Sequence, residues 1–165
     1  MAIDDYLNSP NTGIIIVDMQ KYFVDQLPNF KSLINKQINI LKFHPKIFIV
    51  NLEFKPSRYG YTLPLIKNEI NNNNRSFKTI KKNYMNGFKR TKLNKILKEY
   101  EIHNILIMGC NTSFCVFSTA KSASNLGYTL ATSKNLVSQS GYTSSQKYDF
   151  LEEAVNWYKK NTILF

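Results

Sequence analysis

Asn104 to Gly127 reads NILIMGCNTSFCVFSTAKSASNLG: an apolar run (Ile105, Leu106, Ile107, Met108) stops at Gly109, a small polar turn follows (Asn111, Thr112, Ser113), and Cys115 opens a helical pattern closed by Gly127. The run is apolar throughout, without alternation, as in a strand of a parallel sheet covered on both faces. Cys115 therefore stands just beyond the strand's carboxyl end, the edge where ligands bind in open α/β sheets. The free N–H groups and dipole of a helix start favour a thiolate over a thiol there. A free cysteine is also a small hydrophobe that is often simply buried, so other residues must decide between packing and chemistry.

Working outward, Gly13 to Asp18 (GIIIVD) reads as a second buried strand ending in an acid, and Lys46 to Leu52 (KIFIVNL) as a third, after His44-Pro45 breaks a helix over Phe30 to Phe43. An aspartate that ends a buried strand must be satisfied or functional. Met1 to Thr12 reads as a polar lead-in. Glu53 to Asn74 holds Pro56, Gly60, Pro64 and four consecutive asparagines, and reads as a long excursion with one helical turn. Ser76 to Ile80 is a short strand leading to Lys81 and Lys82, and Leu93, Ile96, Leu97 and Tyr100 mark a helix by their spacing. Beyond Gly127 come a strand at Tyr128 to Thr132, a capping box of Thr143 with Gln146, a helix striped by Leu151, Ala154, Val155 and Tyr158, and a closing strand at Thr162 to Phe165.

Strands alternating with helices predict one domain over residues 1–165, a three-layer α/β/α sandwich around a doubly wound, mainly parallel, six-stranded sheet. In the commonest doubly wound order the first and fourth strands are neighbours where the winding reverses. Asp18 and Cys115 are thereby expected at one crevice. His44 and His103 each precede a strand and belong at the opposite edge, so no cysteine–histidine dyad is expected.

The chain has 165 residues, 43% of them hydrophobic, enough for a single core. It shows no secretory pattern and no membrane-length apolar run, which predicts a soluble, cytoplasmic protein. Cys110 and Cys115 make no disulfide framework and the two histidines make no zinc site, so neither metal nor cofactor is expected. No Gly-x-Gly-x-x-Gly follows the first strand, which disfavours a dinucleotide. The net charge of +11 raises nucleic acid or another polyanion as a partner, but the lysines are scattered. The densest cluster, Lys78 to Lys98, reads as a solvated basic face, and nucleic acid is disfavoured because aromatic–basic interleaving on a strand is missing.

A cysteine nucleophile needs a base, a positive surrounding and donors for an oxyanion. Asp18 fits the base if its crevice is dry, a lysine after the third short strand fits the charge, and the turn from Asn111 to Cys115 offers backbone N–H groups. The runs IIIVDMQKYF, TIKKNYMNGF and ILIMGCNTSFCVFSTAKSASNLGY together resemble the isochorismatase-like cysteine hydrolase superfamily over nearly the whole chain.

The resemblance implies a metal-independent amidohydrolase acting on a small amide or ureido compound through a thioester. It makes Asp18 the general base, Lys81 the charge-stabilising residue and Cys115 the nucleophile, with Lys82 the rival to Lys81. The lysine-to-aromatic spacing, Lys81 to Tyr84, favours Lys81. The Cys110–Asn111 bond would be cis, with the N–H groups of Asn111 and Cys115 forming an oxyanion hole. Tyr22, Phe23, Tyr84, Phe88 and Thr112 would line the substrate, although core packing is an equal reading of Tyr84 and Phe88. Where nicotinamidases of the superfamily carry metal ligands, Asn51 to Pro56 reads NLEFKP, and Lys55 cannot replace a histidine. Homo-oligomers are common in the family and are expected here. Two rival readings stand beside the hydrolase: a non-catalytic binding or scaffold member, and a polyanion binder.

Overall fold

The computed structural model describes residues 2–72, 74–140 and 145–165. Its elements are α1 (Ile3–Leu7), β1 (Thr12–Val17), α2 (Lys21–Val24), α3 (Phe30–Phe43), β2 (Phe48–Phe54), α4 (Pro56–Tyr59), α5 (Pro64–Asn71), β3 (Phe77–Lys82), α6 (Leu93–Glu99), β4 (Asn104–Cys110), a π-helical turn (Thr112–Val116), α7 (Phe117–Asn125), β5 (Thr129–Thr132), β6 (Val137–Ser138), α8 (Ser145–Asn161) and β7 (Ile163–Leu164).

The sheet has seven strands in the order β3-β2-β1-β4-β5-β7, with β6 beside the end of β4, and its paired strands are all parallel. The α/β sandwich predicted from the strand pattern is this fold. Alternation along each buried strand divides the core in two. Ile14 and Ile16 of β1 and Leu106 and Met108 of β4 point to one face, where Leu33 and Leu41 of α3 and Ile66 and Ile70 of α5 pack on them. Ile15, Val17, Ile105 and Ile107 point to the other, against Leu93 and Leu97 of α6, Ala120 and Ala123 of α7, and Ala154 and Tyr158 of α8. No helix among the described residues is long and apolar enough to cross a membrane.

Several boundaries differ from the sequence reading. The lead-in holds α1, because Tyr6 and Leu7 are buried and the Tyr6 hydroxyl donates to the carbonyls of Ile105 (3.3 Å) and Thr129 (3.0 Å). The excursion holds two helices, α4 and α5, each with a proline at its first turn, where the missing N–H costs nothing. A seventh strand, β6, is added by two residues. The capping residue Thr143 lies outside the described residues.

Winding reverses between β1 and β4, which pair from Thr12 with Asn104 to Val17 with Gly109. At that last pair Gly109 has φ +133°, and a Cβ there would stand 2.1 Å from the Val17 carbonyl oxygen. Only glycine lets the two backbones close at this point.

Candidate active site

Asp18 follows β1 directly. It takes φ 51°, donates its N–H to Leu52 O at 3.1 Å, and is 1% exposed. A carboxylate so placed needs a partner, and β3 supplies one: Lys82 Nζ donates to Asp18 Oδ2 at 2.7 Å with both side chains buried. The ammonium also donates to the carbonyls of Tyr84 (3.4 Å) and Met85 (3.3 Å) and lies 4.7 Å from the Phe54 ring centroid. All of its hydrogen-bonding capacity is used.

The structure thus brings Lys82, not Lys81, to Asp18. The reason is strand periodicity. Ile80 points into the core, so Lys82, two residues on, points the same way, while Lys81 faces the other side and is exposed. Lys81 lies over the Tyr61 ring at 5.8 Å instead.

Cys115 sits in the π-helical turn ahead of α7, half-buried, on the α6/α7 side of the sheet that Lys82 also faces. Val116 N–H closes this wide turn on Asn111 O at 3.3 Å, and the Cys110–Asn111 peptide is cis, as the resemblance implied. Two residues after β6 hold the turn. Gln139 Oε1 accepts from Ser113 N (2.9 Å) and Ser113 Oγ (2.7 Å), and Asn111 Oδ1 accepts from Ser140 N (2.9 Å).

Electrostatically the three side chains are one system. Burial pushes the Cys115 thiol well up, the Asp18 charge pushes it further, and Lys82 pulls it back. Burial likewise raises the Asp18 carboxyl, with Lys82 opposing. The resting state of this geometry is a neutral thiol beside a carboxylate–ammonium pair, not the thiolate expected from a helix terminus alone, because desolvation outweighs the dipole. Hydrogen bonding from the Cys115 thiol and the Phe54 backbone also favours the charged carboxyl, and Oδ1, buried and without a donor in strict geometry among the described residues, is the oxygen placed to take a proton. Cys110 is fully buried, donates its thiol to Asp18 O at 3.2 Å, and is raised far above its ordinary value by burial. It is a packed thiol.

The aromatic residues divide. Phe23, half-buried, and Tyr22, 54% exposed, pack on Tyr59 with ring centroids 5.1 and 4.8 Å away, and Tyr59 stacks on Phe54. This cluster reaches the site through Phe54 and Lys82. Phe88 instead packs on the core beside Tyr128, 6.2 Å between centroids, and the Tyr84 ring lies 4.6 Å from Lys89 Nζ with its hydroxyl bonded to Arg90 at 3.0 Å. What Tyr84 gives the site is its carbonyl. Thr112 is buried and its carbonyl accepts from Tyr158 at 3.0 Å.

Phe54, Tyr59 and Gln20 were not singled out by sequence. Gln20 is fully buried; it accepts from Phe54 N at 2.8 Å and donates to Phe54 O at 3.1 Å and to Gly60 O. It holds Phe54 at the end of β2. The available signal was the third residue of the Asp-Met-Gln run, a polar side chain following a buried strand.

A metal does not suit the neighbouring polar pocket. Glu53 Oε1 accepts from Thr62 N and Thr62 Oγ1, both at 2.9 Å, and Asn51 Nδ2 donates to Thr62 Oγ1 at 2.8 Å. Asn51 Oδ1 is buried without a donor, but one such oxygen beside an engaged carboxylate, with no imidazole, is a poor set for a transition metal. No three His, Cys, Asp or Glu side chains gather among the described residues.

A family model described as the isochorismatase domain matches residues 12–154. Among curated proteins no sequence match is found. Similar solved structures include a MAR1 ribonuclease from Caenorhabditis elegans (TM-score 0.76, 17% identity, 94% of this chain and 76% of that one). A nicotinamidase from Staphylococcus aureus superposes with TM-score 0.70 at 24% identity, covering 93% of this chain and 98% of that one. A cysteine hydrolase from Pseudomonas syringae gives TM-score 0.76 at 13% identity, covering 93% and 87%. The fold is shared among proteins bearing three different activities in their names, so it does not choose between them.

Proposed function

The chain belongs to the isochorismatase domain family, and on that premise we propose that it is a cysteine hydrolase that cleaves the C–N bond of a small amide or ureido compound through a thioester. The observation that carries this reading is the buried 2.7 Å Asp18–Lys82 pair, coupled electrostatically to the Cys115 thiol at the reversal of the sheet.

Asp18 takes the thiol proton as Sγ of Cys115 attacks the carbonyl carbon. The carbonyl π electrons move to oxygen, and the oxyanion is held by the N–H groups of Asn111 and Cys115 in the turn. Collapse breaks the C–N bond and the amine leaves with the proton from Asp18. Water, deprotonated by Asp18, then attacks the thioester and releases the acid and the thiol. Lys82 keeps Asp18 ionised and fixed throughout. Tyr22 and Phe23, with Phe54 and Tyr59, form the apolar wall. The donor set at Asn51 and Glu53 supports metal independence; cytoplasmic location and self-association rest on the family resemblance.

The test is to incubate the protein with a panel of small amides and ureido compounds, quench, and map acyl adducts by mass spectrometry. The expected result is a substrate-dependent mass on Cys115 that builds up in single turnover and is lost in Cys115→Ala together with product. Turnover that survives Cys115→Ala overturns the mechanism. An absence of both adduct and turnover across the panel favours the scaffold reading.

A further inference from the structure

The net charge is not spread over the molecule. Twelve of the 22 basic residues and one of the 11 acidic ones, Glu69, lie between Phe54 and Lys98, which leaves ten of each for the rest of the chain. Glu69 is buried. The whole excess of +11 therefore belongs to this segment, which runs from the end of β2 through α4 and α5, along the edge strand β3, and into α6.

Within it the fold assembles what the linear sequence lacks, basic groups set on aromatic rings. The Arg58 guanidinium lies 5.2 Å from the Tyr59 ring, Lys81 Nζ 5.8 Å from Tyr61, and the Arg90 guanidinium 5.7 Å from Tyr84. Tyr61 is 56% exposed. Two of the pairs are linked, since Tyr59 stacks on Phe54, Phe54 touches Lys82, and Lys82 is bonded to the Tyr84 carbonyl, and Lys81/Tyr61 stands beside them through the neighbouring position on β3. None of Arg58, Lys81 and Arg90 has a carboxylate partner among the described residues. Lysines on an edge strand guard against sheet-to-sheet association. That accounts for Lys78 and Lys81, but for neither Arg58, nor Arg90, nor the rings.

We propose that this edge, around Arg58/Tyr59, Lys81/Tyr61 and Arg90/Tyr84, binds single-stranded nucleic acid, with the cations on phosphates and the rings under bases. Sequence-tolerant single-strand binding uses this combination, since every base offers a π face and every nucleotide a charge. A small anion needs only one or two of these cations. The three pairs come from α4, from β3 and from the segment between β3 and α6, so a ligand that engages all of them is an extended one. The surface shares Tyr59 with the apolar wall of the hydrolytic proposal but none of Asp18, Lys82 and Cys115, so binding to it does not require the hydrolytic chemistry.

The test is fluorescence anisotropy with a labelled twelve-nucleotide oligo(U), a duplex of equal length and heparin as competitor, on the full chain. Oligo(U) is expected to bind at 50 mM salt and to weaken about 50-fold at 200 mM if roughly four phosphates are contacted. Tyr61→Ala, which keeps every charge, is expected to weaken binding about tenfold. Arg58→Glu with Lys81→Glu abolishes it, whereas Lys31→Glu with Lys36→Glu on α3 and Cys115→Ala leave it intact, each variant showing the wild-type circular dichroism. No binding at 50 mM salt, equal or tighter binding of the duplex, or an unchanged affinity in Tyr61→Ala each overturns the proposal; the last two reduce the surface to bare electrostatics.

Discussion

Replacing Asp18 by asparagine should make Cys115 more reactive while stopping hydrolysis. The Asp18 charge raises the Cys115 thiol and Lys82 lowers it. Removing the carboxylate leaves only the lowering influence and the burial. Two unit charges ~4 Å apart at an effective dielectric of ~20 interact by ~4 kcal/mol, or ~3 pKa units. The full amount is not recovered, because the site relaxes around the neutral amide and the burial of the thiol remains. We expect a fall of ~1–2 units. Below the thiol pKa the thiolate fraction then rises ~10- to 100-fold, while the intrinsic nucleophilicity of a less basic thiolate falls by about half that exponent. The net expectation is a ~3- to 10-fold faster alkylation of Cys115 by iodoacetamide at pH 8, read by mass spectrometry, with Cys110 unlabelled as internal control. Lys82→Met should move the rate the other way. Hydrolysis in Asp18→Asn should meanwhile fall by about 10²–10⁴. Alkylation that slows or stays constant in Asp18→Asn would refute the coupling drawn from the geometry.

Three further outcomes are expected. Lys82→Met leaves a buried carboxylate unpaired and should cost about 3–5 kcal/mol in urea unfolding, against less than ~0.5 kcal/mol for exposed Lys81→Met; equal costs would contradict the pairing. Gly109→Ala, which drives a Cβ to 2.1 Å from Val17 O, should prevent folding or cost more than ~3 kcal/mol, whereas Gly127→Ala, at φ +90° with nothing within 4 Å of its Cβ, should cost only ~1 kcal/mol. Burial pushes the Tyr6 hydroxyl from 10.0 to about 12. Because the folded value is the higher, this stability is complete below pH 10 and is lost between pH 10 and about 12. Tyr6→Phe should lose at most ~2.7 kcal/mol less than wild type across that window in pH-dependent urea titrations.

The parts of the fold legible in the sequence are those that bury regular patterns. The β-branched run before Asp18 and the unbroken run before Gly109 identified the two central strands, and sheet topology alone then joined Asp18 to Cys115. The helix over Phe30 to Phe43 was bounded by its own break. The lysine was misread because the spacing to an aromatic was given more weight than the two-residue period that places Lys82 with Ile80. For Tyr84 and Phe88 a substrate wall and core packing were equal readings; Phe88 packs on the core, and what matters at Tyr84 is a carbonyl, which residue type does not encode. The helix α5 was missed because Pro64 was read as a breaker, although Ile66 and Ile70 repeat at helical spacing behind it and both are buried. The thiol was read as a thiolate from the helix start alone, and desolvation, a property of the packed site, reverses that reading.

The junction of β1 and β4 also makes the site a joint between two lengths of chain. Asp18 and Lys82, with the strands that present them, belong to the first half, while Cys115 and its turn belong to the second. A nascent chain can therefore bring the Asp18 carboxylate and the Lys82 ammonium together before Cys115 is made, and the three side chains meet only when the later half docks along six paired positions. The same joint works as a gauge of alignment: a slip of one residue along it would carry the sulfur about 3.3 Å away from the carboxylate. The bare α-carbon of Gly109 at the end of that ladder lets the two halves seat fully, so a residue with no side chain governs how closely the carboxylate and the sulfur are set.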